Sequence, residues 1–562
     1  MPDAPKIVII GAGPTGLGCA YRLLELGHKN FGIFERHPYI GGLAHSFVDP
    51  HGFTWDIGGH VMFSHYKYYD QVFDELMGDE FTLNNRESWV RMAGTWVPYP
   101  FQNNIRYLPK QAAYECLAGL IKAQSGKGKI ASPSAARNFG EFIDAVFGEG
   151  IAKHFMRPYN FKVWAHPPEM MNKTWIGERV AVIDVERALK NVILGSDDFG
   201  WGPNNQFRFP LRGGTGEFYK RFERVLGYHH APRGDGAVTE ARPAEHGGAQ
   251  GHIHLNKTVL TIDVDRKIVS FADGTTEAYD ILVSAMPVDV LCRDVLRSEG
   301  APLADLAETA SRLLHSSGYM VGIGLKSRTP GGGTPDTKSW MYFPEENCPF
   351  YRVTYLSNYS PHMTPDKENF YSLLCEVSES AFKATPGREG ADNNAVIDEC
   401  ITGLENAGLL EPGERANIVS RWCYYADYSY PTPSVDRDEV LGQVIPRLEE
   451  LGIYSRGRFG MWKYEVSNTD HTLMQGVELA NRLILGEPET TIGMTYRVTD
   501  DGRNAAIHER SQHAGSGERK HAAPPSASRA AVVVTKTAAR SVGDQPEADV
   551  AEEELGVTQR RG

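Results

Sequence analysis

Gly58-Gly59-His60 sits within the run FTWDIGGHVMFSHY at 53–66. Two adjacent glycines let a backbone pass close to a flat ligand, because no Cβ stands in the way. A histidine beside them can offer that ligand a ring nitrogen. Other segments hold residues suited to a nucleoside diphosphate. The run WVPYPFQNN at 96–104 combines aromatic rings that can stack a base with amides that can read its edge. The run MRPYNFKVW at 156–164 repeats the mixture. Tyr342, Arg352, Tyr430 and Tyr464 add one guanidinium fork and three phenols. A guanidinium grips phosphate oxygens bidentately, and a phenol donates a hydrogen bond without adding charge. Taken singly, each of these residues has packing or a surface ion pair as its commoner role. The set carries the argument.

Such groups need a scaffold, and the N-terminus supplies its clearest part. Residues 6–10 form a short β-branched apolar run that reads as a buried parallel strand. Gly11-Ala12-Gly13-Pro14-Thr15-Gly16 follows, then an apolar helical stretch to Leu24. Gly11 permits the tight turn, Gly13 lets the backbone approach a pyrophosphate, and Gly16 lets helix and strand pack closely. A second strand at 31–34 ends at Glu35, where an acid can hold ribose hydroxyls. Gly41-Gly42 comes soon after that acid and offers another close approach along a longer cofactor. An acid followed by a Gly-Gly step resembles the extended FAD signature of the glutathione-reductase and amine-oxidase superfamily.

The chain has 562 residues, enough for a large core and two or three domains. A net charge of −13 gives a nucleic-acid role no electrostatic footprint. No stretch reads as a signal peptide or approaches membrane-spanning length, so a cytoplasmic protein without membrane insertion is expected. Seven cysteines stand singly without metal spacing, which fits reduced thiols and no metal site. The sequence leaves room for a homo-oligomer.

The expected fold is α/β. A discontinuous Rossmann-like FAD-binding domain takes 1–48, 208–295 and 440–497, with a helical domain at 108–200 inserted into it. An antiparallel substrate-binding sheet takes 49–107 and 300–439. Strands are expected at 258–264, 267–271, 281–284, 319–325, 340–343, 351–356 and 370–377, and helices at 111–123, 139–147 and 185–194. Val259 is the candidate for a backbone contact near the adenine. The stretch at 229–251, with histidines counted at 229, 230, 246, 252 and 254, reads as a solvated surface insertion rather than a metal site. Aromatic residues vanish in 502–562, which reads as a disordered tail.

With these motifs in hand, the chain resembles the UDP-galactopyranose mutases, specifically the eukaryotic-type branch, from about Lys6 to Arg497. The resemblance rests on GGHVMFSHYKY at 58–68, the two aromatic runs above, WGPN at 201–204, FRFP at 207–210 and RGGTG at 212–216. It continues through YFPEENCPFYR at 342–352, YPTP at 430–433, RGRFG at 456–460, and then Trp462, Tyr464-Glu465-Val466, Asn468 and Asp470-His471. This family isomerises UDP-galactopyranose to UDP-galactofuranose on reduced FAD, through a covalent flavin N5–galactose iminium, with no net redox change. The product serves cell-wall and surface glycoconjugates.

The resemblance implies residue roles. His60 would lie against the flavin, with Gly59, Arg458 and Asn468 along it. Arg179 and Arg352 would grip the diphosphate, helped by Tyr342, Tyr430 and Tyr464. Asn204 would contact galactose, while Tyr99, Gln102, Asn160 and Trp164 would hold uridine. His65, Arg86 and Ser88 occupy the positions implied for NADPH, the expected reductant. Segments around Gln102 and Trp201 are candidate lids. Trp89 stands where tyrosine is expected and Lys463 where arginine is expected; a lysine keeps the charge but loses the fork. Two other readings remain open: a mutase for another UDP-hexopyranose such as UDP-N-acetylgalactosamine, and an amine-oxidase-like oxidoreductase.

Overall fold

The β-branched and aromatic runs near the N-terminus build the middle of a five-stranded parallel sheet. Its order is Ile453–Ser455, Ile281–Ser284, Ile7–Ile10, Phe31–Phe34 and Ile253–His254. The computed structural model describes residues 4–176, 185–198, 206–229, 251–385, 393–498 and 504–508. Ile7, Val8 and Ile9 are fully buried, because both faces of a parallel sheet are covered. Ile7 and Ile9 pack with Leu17 of the helix Pro14–Glu25 and Leu473 of the helix Thr469–Leu485. Val8 and Ile10 face the other way, toward Val440 and Val444 of the helix Arg437–Glu450. The tight turn expected at Gly11 is present, and a Cβ on Gly16 would stand 2.0 Å from the Gly11 carbonyl oxygen. Only glycine allows that helix so close to its strand.

One expectation fails at this sheet. His252 and His254 do not lie in a solvated insertion. Ile253–His254 is the edge strand beside Phe31–Phe34. The His252 ring stacks on Phe31 at 4.1 Å and its Nδ1 lies 3.0 Å from the Phe31 carbonyl. His254 stacks on Phe34 at 4.5 Å. Imidazoles that pack flat on aromatic rings gain contact area that a mobile loop would not give them. Residues 230–250 lie outside the described residues.

The second large sheet has seven strands, in the order Ile418–Pro431, His315–Lys326, Phe370–Glu379, Arg352–Tyr355, Trp340–Tyr342, Ser88–Met92 and Thr95–Pro98. It departs from the antiparallel expectation at one junction: Trp340–Tyr342 runs parallel to Ser88–Met92. The strand Phe370–Glu379 is buried along nearly its whole length. Leu373, Cys375 and Val377 pack with Val396 and Cys400 of the helix Asn393–Asn406. Leu374 packs on the opposite face, with Phe53 and Trp55. Side chains alternate along a strand, so Glu376 shares the Leu374 side.

The helical expectations hold, with longer ends at Lys110–Gln124 and Phe139–Ile151 and the expected bounds at Val185–Leu194. The second of these kinks at Gly148, where φ is +71°. A π-helical turn, Ala152–Met156, then feeds the helix Arg157–Trp164. Within the stretch expected to be disordered, Asn504–His508 pairs antiparallel with Met494–Val498; residues 509–562 lie outside the described residues.

A buried ion pair pins the last segment of the site to this frame. Both guanidinium ends of Arg437 meet the Glu465 carboxylate at 2.8 Å, with 1% and 4% of the two side chains exposed. Tyr464 precedes that glutamate, so the helix Arg437–Glu450 sets where the phenol stands. Removing one partner leaves a charge buried without compensation, which costs about 3–5 kcal/mol. Arg437→Ala is therefore expected to lose about that much in chemical denaturation, and Arg437→Met with Glu465→Leu much less. Equal losses in both variants would show that the pair does not anchor the turn.

Candidate active site

The glycine loop and the second Gly-Gly step meet face to face. A Cβ on Gly42 would lie 3.2 Å from the Gly13 Cα, and the Gly41 amide donates to the Ala12 carbonyl at 2.8 Å. Glu35 is buried and accepts from the Ala12 and His37 amides at 2.8 and 2.9 Å. Lys257 donates its amide to the Glu35 carbonyl at 2.7 Å, which brings the start of the strand Val259–Asp263 to this acid. Val259 pairs with Phe271, whose ring stacks on Phe34 at 4.9 Å. The helix starting at Pro14 has no side-chain cap, so its first amides remain suited to an anion. These residues fit a dinucleotide.

The Gly58-Gly59-His60 turn is the next wall. It leaves the hairpin Ser46–Val48/Thr54–Asp56, whose last residue is a buried carboxyl. Asp56 accepts from Ser46 Oγ at 2.5 Å, Thr215 Oγ1 at 2.9 Å and the Thr215 amide at 3.1 Å. Burial pushes it up to about 6 despite those bonds. Gly58 then adopts φ +96°, a conformation that favours glycine. At Gly59 the limit is space: a Cβ would stand 2.6 Å from Thr354 Oγ1. The Gly59 amide donates to Glu376 Oε1 at 3.1 Å. His60 Nδ1 is buried and has no hydrogen-bond partner among the described residues. Burial holds the imidazole down at about 4, with Glu376 pulling upward and Arg352 and Arg458 pushing down. It is a neutral ring at physiological pH.

Glu376 joins this turn to the expected phosphate-binding arginine. Arg352 gives Nε at 2.6 Å and Nη2 at 2.8 Å to the two carboxylate oxygens. The Tyr351 hydroxyl donates to Oε2 at 2.8 Å. Burial opposes both charges, yet each partner overcomes it in the other: the carboxyl is held low and the guanidinium high. About a fifth of the Arg352 side chain remains exposed, and its Nη1 edge is not given to Glu376.

Aromatic rings close the rest. Tyr99 and Tyr342 lie 4.9 Å apart, and Tyr159 stands edge-on to Tyr342 at 5.4 Å. The Tyr342 hydroxyl accepts from Trp340 Nε1 at 2.7 Å. Tyr430 and Tyr464 are 5.7 Å apart, and the Arg458 guanidinium covers both at 4.8 and 5.7 Å. Arg458 is held by the Ser429 carbonyl at 2.9 Å and by Ser467 Oγ at 3.1 Å. Asn468 begins the helix Thr469–Leu485. Gln102 is buried. Asn160 donates its amide to the Met156 carbonyl at 2.7 Å. Trp164 is 1% exposed, packed against Tyr464 at 4.7 Å and Trp175 at 4.9 Å. Arg179, Trp201 and Asn204 lie outside the described residues.

Of the residues expected at a nicotinamide dinucleotide, Arg86 and Ser88 are joined by a 3.1 Å hydrogen bond, and Arg86 lies over the Trp340 ring at 4.9 Å. His65 is anchored to a different element, through Asp470 Oδ2 at 2.7 Å. The two departures are absorbed. Lys463 donates to the Ile492 carbonyl at 2.8 Å, and Trp89 lies beneath Lys338 at 5.2 Å. Glu376 and Tyr351 were not singled out by sequence. The usable signal was an acid inside an otherwise apolar buried strand, which demands a partner.

A family model for flavin-containing amine oxidoreductases matches residues 14–436. The chain is similar to a crystal structure of reduced UDP-galactopyranose mutase, with 42% identity, a TM-score of 0.77, and coverage of 87% of this chain and 96% of that one. A CLA-producing fatty acid isomerase from P. acnes shares the fold alone, at 16% identity and TM-score 0.51 over 86% and 99% of the two chains. Curated relatives align over shorter stretches. Protoporphyrinogen oxidase 2 of Arabidopsis thaliana is 23% identical over 199 residues, 34% of this chain and 38% of that protein. Zeta-carotene desaturase of Zea mays is 35% identical over 92 residues, 16% of each.

The low value of His60 has a pH consequence. The folded chain excludes a proton that the unfolded chain binds below its usual value of 6.5. Stability from the neutral ring is therefore full above that pH and declines as pH falls toward about 4. Denaturation midpoints between these limits should fall more steeply for the wild-type chain than for His60→Asn. Parallel profiles would show that the ring is not buried neutral.

Proposed function

The chain belongs to the UDP-galactopyranose mutases, isomerases within the flavin-containing amine oxidoreductases, and from that premise we propose that it interconverts UDP-galactopyranose and UDP-galactofuranose with FAD as cofactor. One observation carries the reading: a buried arginine–carboxylate pair bonded to the glycine–histidine turn, walled by Tyr351, Tyr430 and Tyr464. When bound, reduced FAD supplies a nucleophile for the anomeric carbon, and the sugar is isomerised with no net redox change.

The residues of the chain do the rest. Gly11, Gly13, Gly16, Glu35, Gly41, Gly42 and Val259 hold the dinucleotide. Gly59, His60, Arg458 and Asn468 face its reactive ring. His60, neutral, offers a ring nitrogen without placing a full charge there. The free edge of Arg352 receives the departing diphosphate, and the hydroxyls of Tyr342, Tyr430 and Tyr464 add neutral donors. By motif, Arg179 supplies a second guanidinium and Asn204 a galactose contact. Tyr99, Gln102 and Asn160 take the uridine, while Trp164, buried under Tyr464, backs that wall.

NADPH is the proposed reductant, on the strength of Arg86 and Ser88 beside an aromatic face, with His65. The seven cysteines are free thiols, and no helix among the described residues is long and apolar enough to cross a membrane. A cytoplasmic donor-forming step for surface galactofuranose accords with both.

Anaerobic incubation of the reduced enzyme with UDP-galactopyranose should yield UDP-galactofuranose by chromatography. No furanose would end this reading. His60→Ala should keep FAD and lose roughly a hundredfold or more in kcat; full turnover would remove His60 from the chemistry. Arg86→Ala should raise the KM for NADPH in flavin-reduction kinetics about tenfold, as expected for one lost charge-assisted contact; an unchanged KM would move that site elsewhere.

A further inference from the structure

Four hydrogen bonds converge on one buried carboxylate. Glu376 receives the Gly59 amide, both Arg352 donors and the Tyr351 hydroxyl. Its side chain is 1% exposed. Oε1 is shared: it accepts Gly59 at 3.1 Å and Arg352 Nε at 2.6 Å. The backbone turn beside the cofactor site and the guanidinium facing the phosphate side therefore hang on one atom. The surroundings limit the alternatives. No side chain fits at Gly59, where a Cβ would stand 2.6 Å from Thr354 Oγ1. Arg352 gives Glu376 its Nε–Nη2 edge and keeps Nη1 outside that pair. Tyr351 reaches Tyr430 at 3.4 Å, so a second wall residue touches the same cluster.

We propose that Glu376 is a positioning residue that couples the two halves of the site. It aims the open edge of Arg352 at a diphosphate and fixes the Gly58-Gly59-His60 turn, so that an anion drawing on Arg352 changes the hold on Gly59. Sharing is the physical reason. A carboxylate oxygen divides its basicity between two donors, so its bond to one strengthens as the other is pulled away, and in a buried site water does not step in. The mutase reading enters only in the identity of the anion, for which UDP is the probe.

Hydrogen exchange by mass spectrometry on the FAD-loaded protein reads residues 57–62 directly, with and without UDP. In the wild-type chain, UDP should change exchange in that segment. In Glu376→Gln the segment should exchange about tenfold faster, the equivalent of one lost hydrogen bond, and UDP should leave it unaltered. Arg352→Lys cuts the link from the other end and keeps the charge. There the segment should already differ from the wild type without UDP, in the direction in which UDP shifts the wild type, and UDP should leave it unaltered while calorimetry still detects binding. A wild-type UDP response in either variant, or none in the wild-type chain, would overturn the coupling. Because exchange requires no turnover, absence of furanose would sink the proposed function and leave this result standing.

Discussion

A guanidinium in a protein interior needs an anion, and an anion there needs donors. At Arg352 and Glu376 the two needs meet, and much of the site follows from satisfying both. The strand Arg352–Tyr355 must run beside Phe370–Glu379 to bring the pair into register, and Arg352 is in fact the cross-strand partner of Glu376. The glycine–histidine turn must come near enough to give an amide, which excludes any side chain at Gly59. Tyr351 must turn its hydroxyl inward. Burying charge is tolerable when each partner meets the other and its remaining bonds are well satisfied. That requirement explains why strand, turn and phenol arrive together.

The same logic recurs at the edge of the site. Arg456 is fully buried and holds Glu489 at 2.6 and 2.7 Å and Glu449 at 2.7 Å; Arg482 reaches both acids. With Arg437 and Glu465, these pairs fix the segment that carries Arg458, Tyr464 and Asn468. The short 3-10 turn Tyr464–Val466 buries Val466 and packs Tyr464 on Trp164 and Trp175. Directional charge contacts add an orientation to that packing.

The parts of this molecule legible in sequence are those whose logic is local. Gly11 to Gly16 declare a phosphate turn because its strand, turn and helix are consecutive. Arg352 and the tyrosines could be nominated from residue type. Glu376 could not, because its meaning lies in Gly59, 317 positions away. Nor could the burial of Trp164, which follows from how Trp175, Tyr430 and Tyr464 close around it. His252 and His254 looked like loop residues by composition. Their stacking on Phe31 and Phe34 depends on sheet pairing that no local window contains. The parallel junction between Trp340–Tyr342 and Ser88–Met92 was hidden for the same reason.

The parallel sheet joins strands far apart in the sequence: Ile7–Ile10 stands two places from Ile453–Ser455. The N-terminal helix packs against Thr469–Leu485, which is nearly the last helix made. During synthesis the glycine turn emerges early, yet the strand and helix that enclose it emerge hundreds of residues later. A nascent chain of this fold therefore waits hundreds of residues with a half-built nucleotide cleft and exposed apolar strand faces. Completion of the cofactor cleft is thereby deferred until the C-terminal strand and helix have been made.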